Sequence, residues 1–179
     1  MKKMRFALGA CSLAVLVVLG VAAQESPTAK LGIWTTRALE NLHEGRKVNP
    51  YLRTVRAVRQ KTFDRLIFEF DGPLPDCRID YLNSRFYEGE DGRERIRIAG
   101  HAFIRIDLSQ ISADEKQFSF SNARHFSPKG KLGLPTLLQM QDKGVGEGHY
   151  EFLLGLSARK AYRVTELENP SRVLIDLKH

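Results

Sequence analysis

Cysteine is almost missing. The chain holds only Cys11 and Cys77, and Cys11 lies in an N-terminal apolar stretch that reads as a removable leader, so no internal disulfide is available and a hydrophobic core must hold the fold unaided. Paired histidines or cysteines a few residues apart, which a metal site needs, are also absent. His43, His101, His125, His149 and His179 are scattered along the chain. The equal intervals between the middle three have no ligand logic. No Gly-rich phosphate loop, serine nucleophile elbow or Cys/His catalytic motif occurs. These absences argue against a metal, a cofactor and the common hydrolase chemistries. There is one acid-rich region, Asp64, Asp71, Asp76, Asp80, Glu88, Glu90 and Asp91. Its residues fall mainly at turn positions, where water keeps carboxylates ionised, whereas a glycosidase needs one acid raised in an apolar cleft. Internal repeats, low-complexity tracts and long amphipathic helical patterns are absent too.

The long apolar run that does occur is at the N-terminus. Lys2, Lys3 and Arg5 precede an apolar run from Phe6 to Val21, and Val21-Ala22-Ala23 supplies the small residues a signal peptidase reads. The run is shorter than the ~20 residues needed to span a bilayer. Residues 1–23 therefore read as a signal peptide, which predicts export and no stable membrane span after cleavage. Leu8-Gly9-Ala10-Cys11 matches a lipobox, the alternative being lipidation at Cys11, although most of the apolar core follows that cysteine instead of preceding it. Loss of residues 1–23 removes three of the 28 Lys+Arg and none of the 21 Asp+Glu, so the net charge falls from +7 to +4. That balance favours loose attraction to anionic envelope polymers, and the compartment makes nucleic acid an unsuitable partner. Cys77 reads as a small buried hydrophobe or as an exposed thiol linking two chains.

Residues 24–51 read as a linker or weakly helical segment, with Ala38, Leu39 and Leu42 at helical spacing inside Thr36–His43. From Leu52 onward the dominant period is two. Leu66, Phe68 and Phe70 form one apolar face. Ala102, Ile104, Ile106 and Leu108 form a second, Tyr150, Phe152, Leu154 and Leu156 a third, and Val173, Ile175 and Leu177 a fourth. Turn residues separate these runs at Asp71-Gly72-Pro73, Glu90-Asp91-Gly92, Ser127 to Gly130, Gly144 to Gly148 and Asn169-Pro170-Ser171. The pattern predicts an all-β chain, an antiparallel β-sandwich of two small sheets over 52–179. Phe68, Phe70, Ile104, Ile106, Phe152, Leu154, Val173 and Ile175 are the expected core. In "LRTVRAVRQ" the arginines recur every three, which suits a helix as well as a strand.

Two phrases carry a resemblance. Asp64-Arg65-Leu66-Ile67-Phe68-Glu69-Phe70-Asp71-Gly72 and Pro170-Ser171-Arg172-Val173-Leu174-Ile175-Asp176-Leu177 are similar to the opening and closing phrases of AMIN-like domains, relatives of the N-terminal module of cell-wall amidases, and "GHAFIRIDL" looks like that family's middle strand. The resemblance covers about residues 52–178. It implies a two-sheet sandwich that is not an enzyme, held near the cell envelope, and it draws "LRTVRAVRQ" toward a strand. Nothing in 83–99 or 109–148 matches closely enough to carry over a binding residue.

The candidate ligand-binding residues come from the chain itself. Arg93, Arg95 and Arg97 alternate with Ile96 and Ile98, and Tyr81, Arg85, Phe86 and Tyr87 stand just upstream. Forked guanidiniums suit carboxylates and phosphates. Tyr81, Arg85, Tyr87, Arg93, Arg95 and Arg97 are accordingly the candidate patch for peptidoglycan or another anionic envelope glycan. The bland reading of the same arginines is a solvated strand face that keeps an edge soluble. The expected function is a secreted, periplasmic or extracellular, non-catalytic envelope-binding module. The alternative is an assembly subunit that pairs its sheet edges with a protein partner.

Overall fold

Alternating apolar residues become strands wherever two neighbours can cover the apolar face, and all four period-two runs do so here. The structure is a computed structural model that describes residues 30–45, 47–84, 86–88, 95–112 and 134–179. The signal-peptide and lipobox readings at residues 1–23 lie outside the described residues. The strands are β1 (Lys30–Leu31), β2 (Leu39–Asn41), β3 (Tyr51–Arg59), β4 (Phe63–Asp71), β5 (Asp76–Leu82), β6 (Phe86–Glu88), β7 (Arg95–Arg97), β8 (Ala102–Ser109), β9 (Leu137–Gly146), β10 (His149–Leu156), β11 (Tyr162–Leu167) and β12 (Ser171–Lys178). They form two five-stranded antiparallel sheets, β1-β11-β12-β4-β3 and β2-β5-β8-β10-β9, with β6 and β7 as a separate pair. The chain is all-β, as the periodicity predicts.

The opening and closing phrases of the domain lie side by side. β12 runs between β11 and β4, with Val173 opposite Phe68 and Ile175 opposite Leu66. The last strand is thus interior to its sheet. Its hairpin with β11 turns through a cis Asn169–Pro170 bond with Asn169 at a φ of 56°, so proline sits at a turn, where its missing N–H costs no ladder bond. "LRTVRAVRQ" falls in β3 and pairs with β4 along its length.

All eight expected core residues are buried between the sheets. Phe68 of one sheet meets Phe152 of the other edge to face, with centroids 5.1 Å apart. Each such side chain contributes about 1.5–3 kcal/mol by leaving water. Burial also exceeds simple alternation. Leu153, in the opposite phase to Phe152 and Leu154, joins Ile98, Phe103 and Leu82 in a second, smaller cluster. A Cβ at Gly155 would lie 1.8 Å from the Ala99 carbonyl oxygen. Glycine is what lets residues 98–100 cross that strand and cover the outer cluster.

The helical reading of Thr36–His43 is corrected. Leu39–Asn41 is β2, pairing with β5 so that Leu39 lies opposite Ile79 and Asn41 opposite Cys77. A single helical turn fixes several dihedrals for one hydrogen bond and cannot sustain itself, whereas the edge of β5 offers ready donors and acceptors. Just upstream, Thr35 exchanges two backbone hydrogen bonds with Tyr162, both 2.8 Å. Residues 30–43 therefore join both sheets. The solvent-facing reading of the acids also fails at two positions, since Asp64 and Asp76 are buried, and Asp176 of the closing phrase is buried as well. Each is charge-neutralised or hydrogen-bonded by groups from other parts of the chain.

Candidate functional site

The basic strand expected to bind ligand is β7, in a two-stranded hairpin with β6. Across that ladder Arg97 stands opposite Phe86, Ile96 opposite Tyr87 and Arg95 opposite Glu88. Arg97 is exposed. Arg85 and Arg93 lie outside the described residues, as do the side chains of Tyr87 and Arg95.

Tyr81 is on β5 and is engaged elsewhere. Its hydroxyl donates to the Lys160 carbonyl and accepts the Lys160 N–H at 3.1 Å. The Arg159 guanidinium lies 4.1 Å from its ring centroid and Tyr162 packs at 6.1 Å. Burial pushes the Tyr81 phenol above its ordinary range, against the opposing pull of the Lys160 hydrogen bond and the Arg159 charge. Those contacts fasten the loop before β11 to the second sheet.

A different constellation is assembled on the outer face of the first sheet. Antiparallel register places Arg163 of β11 opposite Asp176 of β12, and Asp176 opposite Arg65 of β4. Asp176 is 0 % exposed, and both its oxygens are used. Oδ1 accepts Arg65 Nε at 2.6 Å, while Oδ2 accepts Arg65 Nη2 at 2.9 Å and Arg163 Nε at 2.8 Å. The hydrogen bond to Asp176 holds the Arg65 guanidinium above its ordinary pKa despite partial burial. A buried carboxylate is tolerated here because two forked cations satisfy it.

Aromatic rings stand over these cations. Arg163 lies 4.6 Å from the Trp34 centroid and 5.3 Å from that of Phe63, and Arg65 lies 5.1 Å from Phe63. Lys178 Nζ is 6.0 Å from Trp34, and the two rings meet edge to face at 6.2 Å. Among the described residues the group holds three cations, Arg65, Arg163 and Lys178, and one carboxylate, so it has a positive excess. Trp34 and Phe63 remain half-buried, and Lys178 is exposed. None of these residues stood out in the sequence. The usable signal was that Arg65 and Asp176 occupy the non-core phase of two adjacent-looking strands, but only the pairing register makes them partners.

A second polar node ties the N-terminal segment down. Asp76 accepts the His43 backbone N–H at 2.7 Å and Gln110 Nε2 at 2.9 Å, and Glu166 accepts Asn41 Nδ2 at 2.7 Å. His43 Nε2 lies 3.4 Å from Glu166. Beside it opens a cleft of about 410 Å³ lined by His43, Glu44, Leu74, Glu168, Asn169 and Ser171 among others.

No catalytic arrangement emerges from these groups. Cys77 is buried, and loss of solvation pushes its thiol far above its ordinary range, so it is the small hydrophobe of the two readings and not an exposed linking thiol. Among the described residues no group of three His, Cys, Asp or Glu side chains is placed to hold a metal ion. His101 is exposed, His149 Nδ1 lies 3.1 Å from Asp107, and His125 lies outside the described residues.

No curated protein and no solved structure matches the chain. The family model of the AMIN-like domain matches residues 50–179, the range that begins at β3, contains both phrases paired as β4 and β12, and ends with the chain. On that match, and with the two-sheet architecture behind it, the chain belongs to the AMIN-like domain family.

Proposed function

We propose that this protein is an exported, non-catalytic module that binds an anionic glycan of the cell envelope, peptidoglycan being the leading candidate. Membership of the AMIN-like family supports a cell-wall-related module, and the non-catalytic character of that family supports the rest of the reading. The observation that carries the finer reading is the positive excess around Trp34 and Phe63 on one sheet face. Guanidiniums recognise carboxylates and phosphates, and aromatic rings offer flat apolar faces to sugars. The sequence-predicted residues Tyr81, Arg85, Tyr87, Arg93, Arg95 and Arg97 remain a second proposed contact for the same polymer. Among the described residues no helix is long and apolar enough to cross a membrane. A periplasmic or extracellular location is proposed on the signal-like N-terminus.

The alternative is an assembly subunit that adds a partner's strand to its sheet edge. β3 is a nine-residue edge strand, which is the observation in its favour. That edge carries exposed Arg53, Arg56 and Arg59 and a register shift between Leu52 and Thr54. Charges and bulges of this kind discourage edge pairing, so the glycan reading is preferred. Sedimentation with purified sacculi in moderate salt tests it. Co-sedimentation is the expected result, and a soluble protein with a cross-linked protein partner would favour assembly instead.

A further inference from the structure

The envelope reading leaves open where on the molecule a ligand sits and what chemistry it must have, and the outer sheet face answers both. We propose that Trp34, Arg163 and Lys178, backed by Asp176 and Arg65, form a binding site for a sugar ring that bears an anionic group, the ring lying against Trp34 and the acid on Arg163 and Lys178. The proposal rests on the envelope-glycan reading above and assigns it a place.

The Arg163 guanidinium is preorganised. Arg163 reaches Asp176 through Nε at 2.8 Å. Among the described residues its two Nη groups donate to no protein acceptor. The buried carboxylate therefore orients the guanidinium without consuming its fork, and a fixed fork recognises a carboxylate or phosphate at low entropic cost. Arg65, by contrast, gives both Nε and Nη2 to Asp176 and serves to neutralise it. Lys178 is exposed and 6.0 Å from Trp34, a mobile point charge at the rim.

Trp34 is placed by the N-terminal segment. It is the one tryptophan in the chain and lies outside the family match at 50–179, on the N-terminal segment that precedes the matched strands. That segment is held tightly. Thr35 pairs with Tyr162, and a Cβ at Gly32 would lie 2.0 Å from the Val164 carbonyl oxygen. Glycine thus permits the close approach that sets Trp34 over Arg163. A ring used only to fill a core would be sealed between the sheets. This one is half-buried on the outside, beside the Arg163 guanidinium and Lys178.

Carboxylated and phosphorylated sugars share the chemistry, and the test separates them. Trp34 emission in the purified full-length mature chain is titrated with an N-acetylmuramic-acid-containing tetrasaccharide, with purified teichoic acid and with neutral chitotetraose. A saturable change with one of the anionic probes is expected, about tenfold tighter than with chitotetraose and weaker in high salt, because exposed charges are screened over ~8 Å at physiological ionic strength. Which anionic probe responds identifies the source of the acid. Arg163→Gln should weaken binding about tenfold. Lys178→Gln, at an exposed position that leaves the fold intact, should weaken it severalfold with an unchanged melting temperature. Sacculus binding retained while no probe moves the emission would overturn this site and leave the envelope reading standing. Equal response to chitotetraose, or Lys178→Gln binding like the parent, would overturn the anionic part of the assignment.

Discussion

Asp176 and Arg65 face each other across the β12–β4 ladder, joined by hydrogen bonds of 2.6 and 2.9 Å, with the carboxylate wholly buried. The last strand is thereby bonded to the first phrase of the domain through side chains as well as backbone. Removing the carboxylate leaves two partly buried guanidiniums without their acceptor. Asp176→Ala should destabilise the domain by about 3 kcal/mol, the scale of a broken buried ion pair. Urea unfolding of the variant beside the parent measures it, and a loss below about 1 kcal/mol, the surface-pair range, would show the triad to be energetically idle.

Deletion of residues 171–179 should abolish folding. Val173, Ile175 and Leu177 are each 0 % exposed and sit in a strand with neighbours on both sides. Their burial alone contributes roughly 5–9 kcal/mol, comparable with the whole stability of a domain. The far-ultraviolet circular dichroism of the truncated chain should lack a cooperative thermal transition. A melt like that of the full chain would make the strand dispensable.

Gly32→Ala should detach the N-terminal segment without melting the sandwich. The added Cβ meets a backbone carbonyl, which cannot step aside as a side chain would. Trp34 emission should shift to the red as the ring leaves Arg163 and Phe63. The main transition should fall by less than that of Asp176→Ala. Unchanged emission would mean that the segment docks by another route.

Alkaline pH should destabilise the fold. Burial pushes the phenols of Tyr150 and Tyr162 far above their ordinary range, with Asp142 adding to the shift at Tyr150 and Tyr81 at Tyr162. Each stays protonated in the folded state while the unfolded chain can release its proton above ~10. The folded state then binds more protons, so stability is full below that pH and falls as pH rises through it. Melting temperatures should decline as pH rises through ~10, and Tyr162→Phe should flatten the slope. Tyr162 donates its one O–H to the Arg37 carbonyl at 2.6 Å, with the Ile79 carbonyl also near at 3.2 Å, so the same variant should also lower the plateau by about 1 kcal/mol.

Cys77 should be inert in the native protein. A buried thiol with a raised pKa supplies neither access nor thiolate. A thiol-specific reagent should label it only in denaturant, and a non-reducing gel should show no linked dimer.

The period-two faces, the turn residues and the two bounding phrases determined the all-β class, the placement of the main strands and the core, because alternation is a local property that survives in the order of residues. Phe68 and Ile175 could be assigned to the interior without knowing what lies opposite. The N-terminal segment was misread because a three-residue strand has no periodicity of its own. Leu39–Asn41 becomes β2 only because the β5 edge is there to pair with it. The outer-face site is of the same kind. Arg65 is separated in sequence from Arg163 and Asp176 by most of the domain, and each of the three looks like an ordinary solvent-facing residue within its own strand. Register brings them into one row, and a close approach at Gly32 sets Trp34 above it. A charge group of this kind exists only as a set of distances, and those were decided by which strands became neighbours.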